Sequence, residues 1–235
     1  KEGDVILVEN IRYYKGETED SEDFSKKLGA LGDIYINDAF SCSHRKQASV
    51  HNITKFTKKN YAGPLLKKEI SAINLVIKNK KEPVTCIIGG SKISTKIGVI
   101  TSLTEKVNNL IIVGAMANNF FVHKNLKVGK SLIEEGTKEI IETIYEKAKK
   151  NNCKIFIPED CMVGFNFEGK GQNKNLNNVQ DEEIILDIGI NTIKKICEMI
   201  DQSNTVLWNG PAGYFENENF AKGTLSIAEH ISKNT

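Results

Sequence analysis

The sequence predicts an α/β fold built on a doubly wound parallel sheet. Three observations carry this expectation. Short, mostly apolar runs such as residues 84–88 and 109–113 read as strands buried on both faces. Each is followed by a longer stretch with helical periodicity, and repeated strand–helix alternation produces parallel pairing. Of the 235 residues, 40% are hydrophobic and 26% charged, which supports a real core.

In chain order, residues 5–8 (Val-Ile-Leu-Val) are expected to form a buried strand. Residues 20–31 predict a helix capped by Ser21, with Phe24, Leu28 and Leu31 on one face. Residues 33–37 predict a second strand and 38–51 a polar loop, giving a strand–helix–strand unit with parallel strands. Ala62-Gly63-Pro64 breaks the pattern. Leu65, Leu66, Ile70, Ile73, Leu75, Val76 and Ile77 then predict a long, mostly buried helix, closed by the charged stretch 78–83. A domain boundary falls around this helix: 1–62 form one domain, 63–78 the joining helix and 79–235 the second domain. Beyond Pro83 the expected strands are 84–88, 109–113, 154–158 and 205–208, with a short extended piece at 184–187. Helices are expected within 92–107, around 116–122, and at 137–151, 192–200 and 220–231. Residues 168–179, rich in Gly, Asn, Gln and Lys, predict an exposed, mobile loop.

The charge balance excludes several function classes. With 32 basic and 30 acidic residues the formal charge is +2, which gives no general attraction to nucleic acid. No apolar run reaches the roughly 18 residues of a membrane span, and no signal peptide opens the sequence, so a cytoplasmic protein is expected. The five cysteines are scattered with no C-x-x-C spacing, which argues for free, mostly buried thiols rather than zinc or disulfides.

In open parallel sheets ligands bind beyond the carboxyl ends of the strands, so the residues after each strand are the candidates. Gly89-Gly90-Ser91-Lys92 follows a strand and leads into a helix. Two glycines allow close backbone approach to an anion, and a helix N-terminus adds N–H donors. Lys92 and Lys96, four residues apart, share one helical face and suit a polyphosphate. The plain alternative is a tight turn with solvated lysines. The spacing fits neither G-x-x-x-x-G-K-[ST] nor G-x-G-x-x-G, which leaves a dehydrogenase unsupported. Asn209-Gly210-Pro211-Ala212-Gly213 with Glu216 also follows a strand; its glycine and proline suit a flat base and its carboxylate a ribose, or the stretch is an ordinary turn. Arg12, and His44 with Arg45, follow the first two expected strands and would cradle a small phosphorylated carboxylate, unless the arginines pair with Glu9 and Asp38. His44 beside Ser41 and Ser43 lacks the G-x-S-x-G elbow of a nucleophilic triad. His51, His123 and His230 read as structural or solvated.

Taken together and in order, Val8-Glu9-Asn10-Ile11-Arg12, Asn37-Asp38-Ala39-Phe40 with His44-Arg45, Ala62-Gly63-Pro64-Leu65-Leu66, Gly89-Gly90-Ser91-Lys92-Ile93-Ser94 and Trp208-Asn209-Gly210-Pro211 with Phe220-Ala221-Lys222-Gly223-Thr224 resemble the phosphoglycerate kinase family along the whole sequence. The resemblance implies two Rossmann-like α/β domains joined by a long helix, with the N-terminal domain only partly present. It implies reversible transfer of the acyl phosphate of 1,3-bisphosphoglycerate to ADP, giving 3-phosphoglycerate and ATP, with Mg²⁺, in a cytoplasmic monomer. Under it Arg12, His44 and Arg45 match substrate-binding positions. Gly89, Gly90, Ser91 and Lys92 match the phosphate turn, and Lys96 the catalytic lysine beside the moving phosphoryl group. Leu186, Asn209, Gly210, Pro211 and Glu216 match positions around the nucleotide. No residue is matched to the metal. The family's early Asp-x-Asn motif, its catalytic arginine and its late Gly-Gly-Gly-Asp loop have no counterpart in these residues. The chain alone is therefore expected to be inactive or weakly active, the alternative being a non-catalytic nucleotide-binding protein. Thr95 stands where the family usually has Asp, Gln47 replaces a second His, and Val113-Gly114-Ala115 replaces a glycine triplet.

Overall fold

The structure, a computed structural model, describes residues 3–78 and 80–234, without the side chains of Val76 and Ile77. Lys1 and Glu2 of the polar opening, Asn79 of the charged stretch, Thr235 and the predicted burial of Val76 and Ile77 therefore lie outside the described residues. The chain divides into two compact units, Lys1–Lys78 and Asn79–Thr235.

The first unit holds α1 (Lys15–Thr18), α2 (Glu22–Gly29), β1 (Ile34–Asn37), β2 (Lys59–Ala62) and α3 (Pro64–Lys78). Ser21 caps α2 by accepting from the Phe24 N–H at 3.4 Å, and Glu22 and Asp23 favour the positive end of its dipole. The buried positions of α2 are Ser25 and Gly29, with Phe24 and Leu28 half-buried; Leu31 is exposed because the helix ends before reaching it. Buried Glu17 accepts from the Ser49 N–H at 2.8 Å and the Ser49 hydroxyl at 2.7 Å, which fastens the loop after β1 to α1.

Three expectations fail in this unit. Residues 5–8 form no strand, and Leu7 is 97% exposed. A strand exists only by hydrogen-bonding a neighbour, and among the described residues none pairs with this run. The parallel neighbour of β1 is instead β2, from Ile34 opposite Lys59 to Asn37 opposite Ala62, a strand whose polar Lys-Asn-Tyr-Ala sequence concealed it. Finally, α3 is not mostly buried: Leu66 is covered, whereas Leu65, Ile70, Ile73 and Leu75 are exposed. Its first turn is fixed by Asp38, whose carboxylate accepts from the Leu66 N–H at 2.9 Å.

The second unit contains β3 (Val84–Ile88), α4 (Ile97–Thr104), β4 (Asn109–Ile112), α5 (Ala117–His123), α6 (Lys138–Lys150) and β5 (Lys154–Phe156). It continues through β6 (Asp160–Gly164), β7 (Gln172–Asn175), β8 (Ile184–Ile188), α7 (Ile190–Asp201), β9 (Thr205–Asn209) and α8 (Lys222–Lys233). A parallel sheet runs in the order β5-β4-β3-β9. Alternation along the strands divides the core in two. Val84, Cys86, Ile88, Leu110 and Ile112 face Ile100 of α4, Phe120 and Phe121 of α5, and Ile141 and Ile144 of α6. Ile87 and Ile111 face Ile196 and Ile200 of α7 and Ile227 of α8. Helices thus cover both faces, as a doubly wound sheet requires.

The unit holds another sheet besides the expected parallel one. It is antiparallel, in the order β7-β6-β8. Residues 168–179, expected as a loop, contribute β7 and a short 3-10 turn at Leu176–Asn178, with Leu176 and Val179 buried. The polar residues of β7 lie on a strand paired on one side only, where the backbone ladder rather than side-chain burial holds them. Of the cysteines, Cys86, Cys153 and Cys161 are buried and all five are free. No helix among the described residues is long and apolar enough to cross a membrane.

Candidate functional site

The strand order places one functional position above the others. The chain starts the parallel sheet at β3, moves outward through β4 and β5, and returns to the other side of β3 with β9. The carboxyl ends of β3 and β9 therefore flank a topological switch point, where the diverging connections leave a crevice. Gly89-Gly90-Ser91-Lys92 leaves β3 there, and Gly210-Pro211-Ala212 leaves β9 beside it.

The two loops are in direct contact. The Gly89 N–H donates to Asn209 O at 2.8 Å, and a Cβ at Gly89 would lie 1.9 Å from Pro211 O, so only glycine fits. Gly90 has φ +124°, outside the range other residues adopt, and its carbonyl accepts from the Met116 N–H at 2.9 Å. In the departing triplet, Val113 packs into the core while Gly114 keeps the close approach to Gly90.

Between the loops lies a cavity of about 540 Å³. Gly90 and Ser91 line one end, and Gly114, Ala115, Pro211, Ala212 and Gly213 continue it. Leu132, Phe167, Ile184, Ile185, Leu186 and Tyr214 give it apolar walls, with Lys130, Asp187 and Glu216 as its charged residues. A cavity with a polar glycine turn at one end and flat apolar walls beyond suits an anion joined to a planar ring. Phe167 and Tyr214 meet edge to face with ring centres 5.1 Å apart, and the Asn217 amide donates to Phe167 O at 2.7 Å.

Lys96 lies outside the cavity lining but against its glycine end. Its Nζ donates to Gly89 O and to Asn209 Oδ1, each at 2.8 Å, and would be 3.3 Å from a Cβ on Gly90. Both partners are neutral oxygens, and partial burial holds its pKa below the ordinary lysine value. Neither partner is a carboxylate, so neither neutralises the ammonium. Lys92 is exposed. Of the expected nucleotide residues, Gly90, Ser91, Leu186, Pro211 and Glu216 line the cavity, whereas Gly89, Gly210 and Asn209 build its edge.

Asp187 was not expected. It is buried at the end of β8 and lines the cavity, accepting from the Gly223 N–H at 2.7 Å and the Ile188 N–H at 2.9 Å. Burial pushes its pKa up to about 7 against those two hydrogen bonds. Phe167 and Lys130 also went unanticipated, because they come from segments with no strand–turn–helix signature. The Leu186-Asp187 pair at a strand end was the one available signal for Asp187.

The described residues hold no preformed cluster for the expected metal. Among the described residues no three His, Cys, Asp or Glu side chains converge as ligands. Both Asp187 oxygens already accept backbone N–H groups. No residue of this chain is assigned to Mg²⁺.

In the first unit Arg12 lies on a 3-10 turn at Ile11–Tyr13 that begins at Asn10, and Arg45 and His44 lie just beyond the turn at Phe40–Cys42. All three are exposed. Among the described residues no strand precedes Arg12, so it does not follow a strand end as expected. The alternative pairing is not formed either: the Glu9 carboxylate accepts from the Asn10 N–H and Asp38 from Leu66. His51, His123 and His230 sit by the carboxylates of Asp20, Glu142 and Asp201.

The phosphoglycerate kinase family model matches residues 1–235. The chain belongs to the phosphoglycerate kinase family. It is 45% identical over 231 residues to the phosphoglycerate kinase of Wolbachia sp. subsp. Drosophila simulans, covering 98% of this chain and 58% of that protein. It is 42% identical to chloroplastic phosphoglycerate kinase 2 of Arabidopsis thaliana, covering 99% of this chain and 49% of that one. The solved phosphoglycerate kinase of Coxiella burnetii superposes with a TM-score of 0.80 at 36% identity, over 95% of this chain and 58% of that one. The phosphoglycerate kinase of Pyrococcus horikoshii gives 0.76 at 25% identity, over 94% and 58%. The chain thus spans about half the length of these family members, from 49% to 58%.

Proposed function

We propose that this chain carries the nucleotide site of a phosphoglycerate kinase and takes ADP or ATP into the cavity beside the Gly89–Lys92 turn. The observation that carries the reading is Lys96, a cation that among the described residues is held by two neutral oxygens against the glycine turn that lines the cavity. In this reading the diphosphate lies on the N–H groups of Gly90 and Ser91, and Lys92 closes over it. The base lies between the apolar walls near Leu186 and Pro211, and Glu216 accepts from the ribose.

For the whole protein, the proposed reaction is the reversible transfer of the acyl phosphate of 1,3-bisphosphoglycerate to ADP. An ADP β-phosphate oxygen attacks the acyl phosphorus, the bond to the carboxyl oxygen breaks, and 3-phosphoglycerate leaves as a carboxylate. Lys96 balances charge on the phosphoryl group in flight, the main protein contribution in this class of reaction. Arg12, His44 and Arg45 are proposed to bind the phosphoglycerate, as exposed cations able to hold phosphate and carboxylate. The site is proposed to act in a soluble, cytoplasmic monomer.

Titration calorimetry with ADP tests the nucleotide reading. Wild-type chain is expected to bind, and Lys92→Ala and Lys96→Ala each to weaken binding by about tenfold or more, the loss of a charge-assisted contact. Equal affinity in all three would remove the phosphates from this turn.

A further inference from the structure

We infer that Glu134 is a positioning residue for the phosphate turn, an inference that rests on the nucleotide reading above. Glu134 is absent from the cavity lining and belongs to no motif of the sequence analysis. It acts through Ser94. Its Oε1 accepts from the Ser94 hydroxyl at 2.5 Å and its Oε2 from the Ser94 N–H at 3.1 Å. Ser94 begins the 3-10 turn Ser94–Lys96, two residues beyond Lys92 and two before Lys96. One carboxylate therefore grips the backbone midway between the two lysines.

The other end of the strut is anchored in the core. The Glu134 N–H donates to Asn119 Oδ1 at 2.8 Å, and Asn118 Nδ2 donates to Leu132 O at 3.0 Å. Asn118 and Asn119 are both buried on α5. The Thr137 hydroxyl adds a bond to Glu134 O at 3.3 Å. The same segment is tied to the opposite wall, where the Ile185 N–H donates to the Ser131 hydroxyl at 2.8 Å and the Lys130 N–H to Glu183 O at 2.7 Å. Lys130, Leu132 and Ile185 line the cavity. Glu134 thus joins the wall that would hold the base to the turn that would hold the phosphates. It fixes the distance between them.

The strut has the chemistry of a cap. Residues at the start of a helical turn have free N–H groups, and a carboxylate there satisfies them and favours the dipole. The Ser94 hydroxyl, with the backbone N–H groups of Ser94 and Ile93 and the charge of Lys92, holds the Glu134 carboxyl below its usual range, so it stays ionised at neutral pH. Without the cap the turn would still exist, since Ile93 is fully buried, but the lysines after and before Ser94 would lose their fixed spacing.

The test compares two ligands. ADP depends on both ends of the site, whereas adenosine depends on the wall alone. Calorimetry with ADP, and amide chemical-shift titration with adenosine read at Leu186 and Tyr214, are made on wild type, Glu134→Ala, Glu134→Gln, Ser94→Ala and the Glu134→Ala/Ser94→Ala double variant. Glu134→Ala is expected to weaken ADP about tenfold and leave adenosine within twofold. Glu134→Gln, which keeps one acceptor, falls between Ala and wild type. Ser94→Ala, which keeps the Ser94 N–H bond to Glu134, weakens ADP less, and the double variant is no worse than Glu134→Ala, the non-additivity of a shared contact. ADP affinity unchanged or tighter in Glu134→Ala overturns the inference. So does an equal loss for ADP and adenosine, which is what general loosening of the unit gives. If wild type binds adenosine but gains nothing from the phosphates of ADP, the nucleotide reading itself fails and this inference falls with it.

Discussion

The two units of this chain use apolar residues in opposite ways. In the second, the five residues of β3 are all buried, flanked by β4 and β9 and covered on both faces. In the first, β1 and β2 form a sheet of two, Ile34, Ile36 and Tyr61 are exposed, and the Val5-Ile6-Leu7-Val8 run pairs with nothing among the described residues. The runs Val5–Val8 and Val84–Ile88 read alike as sequence. What separates them is the neighbour, since an apolar run becomes a buried strand only where an edge receives it and helices cover it.

This contrast predicts unequal responses to substitution. The largest is expected from Phe120→Ala in the fully buried core of the second unit, about 3–5 kcal/mol. Ile36→Ala on the exposed β1 should cost less than about 1 kcal/mol, because its side chain is largely in water already. Denaturant titration of both variants checks the ratio. Equal losses would mean that the two units are packed alike.

The next effect is a dependence on pH peculiar to the second unit. The Asp187 carboxyl has its pKa raised from 3.8 to about 7 in the folded chain. Between those values the unfolded chain releases this proton while the folded chain keeps it. Its contribution to stability is thus fully present below the lower value and is lost as pH rises through the upper one. The expected loss is on the order of a few kcal/mol. Melting temperatures of wild type and Asp187→Asn across this window should converge on the acid side and diverge as pH rises. Parallel curves would show that the carboxyl ionises freely in the fold.

The smallest effect is expected at the unpartnered run. Leu7→Asp should change stability by no more than about 0.5 kcal/mol, since Leu7 is almost wholly exposed. A loss comparable to that of a core residue would place this segment in a packed environment after all.

The same contrast explains what the sequence revealed. The strands of the parallel sheet, the helices around it and the glycine turn were legible because their local patterns agree with their surroundings. Gly90, Ser91, Leu186, Pro211 and Glu216, which the sequence and its family resemblance point to, all line the cavity. The antiparallel sheet was hidden because β7 is polar and lies at an edge, where pairing, not burial, decides the conformation. Lys130, Phe167 and Asp187 reach the cavity through that hidden sheet and the loops beside it. Their place depends on contacts between elements distant in sequence, such as the bond from the Gly223 N–H to Asp187, which no local pattern announces.

The central claim is that a nucleotide binds at the switch point between β3 and β9. Backbone amide chemical shifts recorded while ADP is added test it most directly. The largest changes are expected at Gly90, Ser91 and Lys92, further changes at Leu186 and along 212–216, and none at Arg12 or Arg45. Shifts centred on Arg12 and Arg45, with the Gly89–Lys92 turn unmoved, would contradict it.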